Sequence, residues 1–153
     1  MNEYIIDKEE WLEVKEPIDS YGNNSTLPLE NETYQIIGAC FEVYNVLGLG
    51  FLESVYQEAL EIEFKLRKIP FEVEKKLVIQ YKEFELDKTF EVDFFVFDSV
   101  VLELKAQEGG LEKHYKQVLN YLKATNRDVA LLVNFGEETL KYKRIAFSKH
   151  KNV

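Results

Sequence analysis

Cysteine, histidine, proline and tryptophan are all scarce in this chain, whose 153 residues contain one Cys, two His, three Pro and one Trp. A lone Cys40 cannot close an intrachain disulfide, and with only His114 and His150 beside it the donors for a Cys/His zinc site are missing. Its setting in the helical pattern IIGACFEVYNVLG makes Cys40 a small core residue. Seven Gly and three Pro are too few for a fibrous or low-complexity chain, whereas 46% hydrophobic and 14% aromatic residues suffice for one domain with a proper core. The sequence shows no internal repeat, and no apolar run approaches the length that crosses a bilayer. The opening residues, MNEYIIDKEEWLEVKE, are acidic where a secretory signal is basic and then apolar, so a cytoplasmic protein away from membranes is expected.

Positive charge is short as well. The net charge of -9 argues at first sight against a nucleic-acid partner. Its distribution changes that, because Glu3, Asp7, Glu9, Glu10, Glu13, Glu16, Asp19, Glu30 and Glu32 face only Lys8 and Lys15 within residues 1–33. The remainder holds 19 acids against 17 bases, and from Thr139 to the end there are five Lys/Arg and no acid. Residues 1–33 therefore read as an acidic N-terminal extension or linker, with at most one short element near Trp11 and a polar stretch, SYGNNSTLPLEN. Residues 34–153 are the expected domain.

Within it, Ile36, Cys40, Val43 and Leu47 recur at helical spacing from Glu32 to Leu47, and Gly48-Leu49-Gly50 stops that helix. A second helix is predicted from about Phe51 to Lys68, with Leu52, Val55, Ala59, Ile62 and Leu66 buried and Pro70 ending it. Glu53 lies in its first turn, where a carboxylate also complements the helix dipole, and Tyr56 lies three residues on. Strands follow at Phe71–Tyr81 and Glu85–Phe97, then Val100–Lys105. Gly109-Gly110 precedes a third helix, Leu111–Ala124, with Leu111, Tyr115, Val118 and Leu122 inward and His114, Gln117 and Tyr121 as a neighbouring stripe. A fully buried strand, Val129–Phe135, and a last strand, Leu140–Phe147, complete an α/β order of α-α-β-β-β-α-β-β.

The anomaly is EVDFFVFDSVVLELKAQE, where charges interrupt two apolar strands joined at Asp98-Ser99. Alternation puts Glu103 and Lys105 on one face, and Val100, Leu102 and Leu104 on the other. If the register brings Asp93 beside them, two carboxylates and an ammonium converge, an arrangement that is costly unless the charges pair or hold an ion. Oxygen ligands alone favour magnesium or manganese, and the lysine could then orient or activate a water at the ion. Spacing by itself leaves this even with a salt-bridged, solvated sheet face.

Gly50-Phe51-Leu52-Glu53-Ser54-Val55-Tyr56 resembles the naming motif of the GxxExxY proteins, a family of the PD-(D/E)XK nuclease superfamily. Asp93 followed by Glu103-Leu104-Lys105 is similar to the superfamily signature, and Gln117 with Tyr121 to the Gln-x-x-x-Tyr element of RecB-like nucleases; Val92 stands where the signature has proline. The similarity runs from roughly residue 32 to 147. It implies a restriction-endonuclease-like core, a central mixed β-sheet flanked by helices, and hydrolysis of phosphodiester bonds of nucleic acid with Mg2+ or Mn2+; DNA is expected ahead of RNA, a choice the sequence leaves open. It further implies Asp93, Glu103 and the Leu104 backbone carbonyl as metal ligands, Lys105 at the attacking water and Glu53 as an additional catalytic acid. Gln117 and Tyr121 would hold substrate or steady the lysine. Lys141, Lys143 and Arg144 are the candidates for tracking a phosphate backbone, against ordinary surface charge. The rivals are a non-catalytic nucleic-acid- or protein-binding module on the same fold, and an interaction protein working through the acidic leader. A homodimer or a protein partner stays open.

Overall fold

Period-two and helical apolar patterns alternate along this chain, and each needs a second layer to cover its apolar side. In the computed structural model, which describes residues 3–6, 12–14 and 29–149, two short strands, β1 (Glu3–Ile6) and β2 (Leu12–Val14), precede the helices α1 (Glu30–Leu47) and α2 (Glu53–Leu66). Then come β3 (Phe71–Tyr81), β4 (Phe84–Val96), β5 (Val100–Lys105), α3 (Glu112–Thr125), β6 (Val129–Asn134) and β7 (Leu140–Lys149). The leader thus contributes two strands where at most one element is expected, both antiparallel to β7. Trp11, most of the SYGNNSTLPLEN stretch and residues 150–153 lie outside the described residues.

The strands form one mixed sheet in the order β1-β7-β6-β5-β4-β3, with β2 also on β7. Only β5 and β6 are parallel, because α3 carries the chain across the sheet between them; every other pair is antiparallel. Helices α1 and α2 cover one face, where Ile36, Cys40, Tyr56, Leu60 and Phe64 meet Phe94, Leu102, Leu104 and Val133. Helix α3 covers the other, with Tyr115, Val118 and Leu122 against Val92, Val101, Leu132 and Ile145. Because both faces are covered, all six residues of β6 are buried, which is why its sequence is apolar without alternation. Cys40 is fully buried and its thiol is pushed far above the usual range by desolvation, consistent with a core role.

The inward face of α2 differs from the expected stripe. Tyr56, Leu60 and Phe64 are buried, whereas Leu52, Ile62 and Leu66 are exposed by 76%, 56% and 73%. Two aromatic rings offer more area to bury than the aliphatic residues they displace from the interface, and both find ring partners. Tyr56 stacks on Phe135 at 4.6 Å, and Phe64 meets Phe94 edge-on at 5.4 Å. The Tyr56 hydroxyl donates to the Gly48 carbonyl (2.6 Å) and accepts the Phe51 N–H (3.3 Å), fixing the α1–α2 turn. Gly48 closes α1 at φ 72°, a conformation that side chains resist.

Phe94 joins the sheet to α2 through Phe64 and Phe71 and is fully buried. Replacing it, Phe94→Ala, is expected to cost about 3–5 kcal/mol in denaturant unfolding; a loss below about 1 kcal/mol would show that this aromatic cluster does not anchor the sheet.

Candidate active site

The β4/β5 ladder pairs Val96 with Val100, Phe95 with Val101 and Phe94 with Leu102, and stops there. At the next position the backbones separate and two carboxylates take over the bonding. The Asp93 N–H donates to Glu103 Oε1 at 3.1 Å, and the Leu104 N–H donates to Asp93 Oδ2 at 2.8 Å. Each acid therefore holds the strand that carries the other. Side-chain alternation also slips at this point, since Val92 packs on the α3 face with Phe95 while Phe94 and Val96 pack on the α1/α2 face. On the other side of β4, Glu74 adopts φ 51° between the paired positions Val73↔Phe94 and Lys75↔Val92. A non-glycine residue with this conformation inside a strand marks a local distortion beside Asp93. Glu74 is the acid that reading the sequence missed, and alternation along β3 gives no hint of it.

The Lys105 carbonyl accepts the Phe135 N–H at 2.8 Å, so its peptide edge faces β6. Leu104, one residue earlier, turns its peptide edge toward β4 and Asp93, as its N–H shows. Its carbonyl therefore opens on the side where the two acids stand. Burial raises the pKa of both. Asp93 is raised chiefly by desolvation, opposed by the Leu104 N–H and Lys105, and raised further by Glu74. Glu103 is pushed up to about 8, first by desolvation and then by the Asp93 charge, with the Asp93 N–H and Lys105 opposing. Two acids at this spacing resist full ionisation together unless a cation joins them.

Glu53 opens α2, directly after a turn in which Gly50 stands at φ 108°. Its carboxyl is raised by partial burial, lowered by Lys105 and raised by Asp93, which places it in the electrostatic neighbourhood of the pair. On α3, the pKa of His114 is lowered by desolvation and then by Lys105 and Lys113, so the charge of Lys105 reaches that helix. Gln117 Nε2 donates to the Tyr121 hydroxyl at 2.6 Å, and Tyr121 stacks on Phe90 of β4 at 3.3 Å between ring centroids. The two α3 residues are thus bonded to each other over β4.

The expected basic track does not form a single surface. Lys143 is only 3% exposed, with Nζ 3.8 Å from the Tyr115 ring centroid beneath α3. Arg144, next in the strand, faces the opposite side of the sheet, where burial lowers its pKa and Glu30 opposes the shift. Lys141 is ion-paired with Glu137. Alternation sets Arg144 on the opposite face from Lys141 and Lys143, and of the two lysines one is buried beneath α3 while the other is paired with Glu137, so proximity in sequence does not gather the charges.

Among the described residues no group of three or more His, Cys, Asp or Glu side chains gathers around one point as a metal cage. The oxygens that could serve a cation are those of the Asp93 and Glu103 carboxylates, each with one oxygen tied to a backbone N–H, and the carbonyl edge of Leu104. An oxygen-only set suits a hard divalent ion, whose charge would offset the burial that raises both pKa values. The family model described as the PD-(D/E)XK nuclease superfamily matches residues 30–145. The chain belongs to that superfamily, a class made up in general of nucleases, and its mixed sheet flanked by helices is consistent with the restriction-endonuclease-like fold. No significant match was found among curated proteins or among solved structures. No helix among the described residues is long and apolar enough to cross a membrane.

The linkage of Glu103 to stability has a definite sign. With a folded pKa of about 8 against an ordinary 4.5, the folded state holds this proton more tightly than the unfolded chain. The resulting stability is present below pH 4.5 and is lost as pH rises through 8. Metal-free Glu103→Gln is expected to escape this loss, gaining on the order of a few kcal/mol over the native chain between pH 5 and pH 8. Parallel pH–stability curves for the two proteins would refute the assignment.

Proposed function

We propose that this protein is a divalent-metal-dependent phosphodiesterase acting on nucleic acid, DNA rather than RNA, with its active site at the point where β4 and β5 part. The observation that carries the reading is the reciprocal clasp of Asp93 and Glu103, with Lys105 on the Glu103 face. A solvated sheet face would leave those acids with ordinary pKa values and an unbroken ladder. Here burial has raised both, and the ladder is broken at the residues that carry them.

In this reading Asp93, Glu103 and the Leu104 carbonyl hold Mg2+ or Mn2+. Bound there, the ion would supply neutralisation of phosphate charge and ionisation of water at neutral pH. The chain's own residues then divide the remaining work. Lys105 places a positive charge beside the nucleophile and the phosphoryl oxygens. Glu53, half-buried at the start of α2, is the further acid facing the same charges. Gln117 and Tyr121, bonded to each other over β4, form a polar patch for the substrate strand. The resemblance of Gly50–Tyr56 to the GxxExxY motif fits their places here, with glycine at positive φ, glutamate opening the helix and tyrosine locking the turn. Residues 34–153 are the proposed catalytic domain, and the acidic leader stands apart from the chemistry.

The test is magnesium- or manganese-dependent cleavage of a panel of single- and double-stranded DNA and RNA by the full chain. Glu103→Ala, Asp93→Asn and Lys105→Ala are each expected to reduce the rate by at least about 10²-fold while leaving the circular dichroism spectrum unchanged. Full activity in the Glu103 and Lys105 variants would show that cutting occurs elsewhere.

A further inference from the structure

The chain leaves β5 immediately after Lys105 and must turn across the end of the sheet to enter α3 at Glu112. In the parallel β5/β6 register Lys105 stands opposite Asn134. Past that pair the two strands part, and a side chain continues the ladder in place of backbone. Asn134 is fully buried. Its Oδ1 accepts the Gln107 N–H at 3.2 Å and the Gly136 N–H at 3.0 Å, and its Nδ2 donates to the Gln107 carbonyl at 2.8 Å. One amide therefore binds both chain exits.

Close approach reinforces the bond. A Cβ on Gly136 would stand 2.1 Å from the Gln107 nitrogen and 2.6 Å from the Ala106 carbonyl carbon, so only glycine fits there without moving backbone. Farther out, Glu137 Oε1 accepts the Gly109 N–H at 3.0 Å, and its other oxygen pairs with Lys141. The outer clasp thus holds the same turn at its far end. A buried amide with three backbone bonds tolerates no other loop geometry without leaving polar groups unpaired.

We propose that Asn134 is the positioning residue for Lys105, acting through the backbone of residues 105–107 to fix where the lysine leaves β5 on the face that carries Glu103. The ladder to β4 cannot do this, because β4–β5 pairing stops at Phe94–Leu102, and the ladder to β6 holds the backbone no further than the bond between the Lys105 carbonyl and the Phe135 N–H. The rate consequence rests on the phosphodiesterase reading, whereas the placement of the lysine does not. A displacement of about one ångström at such a group costs on the order of 10²-fold in rate.

The full chain is compared with Asn134→Ala, Gly136→Ala and the milder Glu137→Ala, which opens only the outer clasp. Amide hydrogen exchange at Gln107 reports the latch, and the 13C signal of dimethylated Lys105, assigned by its loss in Lys105→Arg, reports the lysine. Expected are faster exchange at Gln107, a Lys105 signal that merges with those of surface lysines, and kcat lowered about 10- to 100-fold with KM unchanged. Glu137→Ala should show the same changes in weaker form, and it remains decisive if the inner variants do not fold. An unmoved Lys105 signal despite accelerated exchange would reduce Asn134 to a loop staple and overturn the proposal. If the native chain cuts none of the nucleic acids while the signal still moves with Asn134→Ala, positioning stands and the phosphodiesterase reading alone falls.

Discussion

Two carboxylates that share too little water are the constraint around which this structure is arranged. Asp93 and Glu103 each accept a backbone N–H from the strand bearing the other, and by doing so they replace the ladder that would otherwise join β4 and β5. The exchange keeps the Asp93 and Leu104 N–H groups partnered where the β4/β5 ladder ends. It also leaves two negative groups close together at partial burial, where their mutual repulsion and desolvation favour a proton or a cation. Such a site persists only if the surrounding core is stiff enough to oppose its relaxation.

That stiffness comes from both faces of the sheet. The α1/α2 layer locks its own turn through Tyr56, stacks that ring on Phe135 beyond β6 and sets Phe64 edge-on against Phe94 of β4. The α3 layer packs Tyr115, Val118 and Leu122 on the opposite side, and its neighbouring stripe sets Tyr121, bonded to Gln117, over Phe90 of β4. Between the layers, β6 is buried throughout and ends in Asn134, whose amide ties the exit of β5 to its own. Apolar packing thus places the polar groups, and hydrogen bonds set their final orientation.

Reading the residues located much of this, with uneven success that has physical causes. The strands Phe71–Tyr81 and Val100–Lys105 were legible to the residue, because alternation, a proline and a turn pair bound them clearly. The approach of Asp93 to Glu103 is legible as a possibility conditional on register; the ladder stops one residue short of it, and two carboxylate–backbone bonds bring the acids together. The aliphatic stripe expected on α2 is only partly inward, with Ala59 against the core but Leu52, Ile62 and Leu66 exposed, because an aromatic stripe competes with it and ring contacts across the interface decide between them. The basic run near the end suggested a phosphate track, yet adjacent residues of a strand covered on both sides are separated by the full thickness of the sheet. Glu74 and Asn134 left no sequence signal, one being defined by a backbone conformation and the other by its partners in a distant loop.

The amino-acid sequence by itself determined the α/β order of the domain, its turns, most of its buried positions and the residue types able to bind a hard cation and a phosphate. These follow from local periodicity and side-chain chemistry, which need no knowledge of distant contacts. Only the tertiary structure decided that β4 and β5 part at Asp93, that the acids clasp each other's strands, and which basic residues meet solvent. Those outcomes depend on register and on what covers each face, and both are fixed by contacts between segments far apart in the chain.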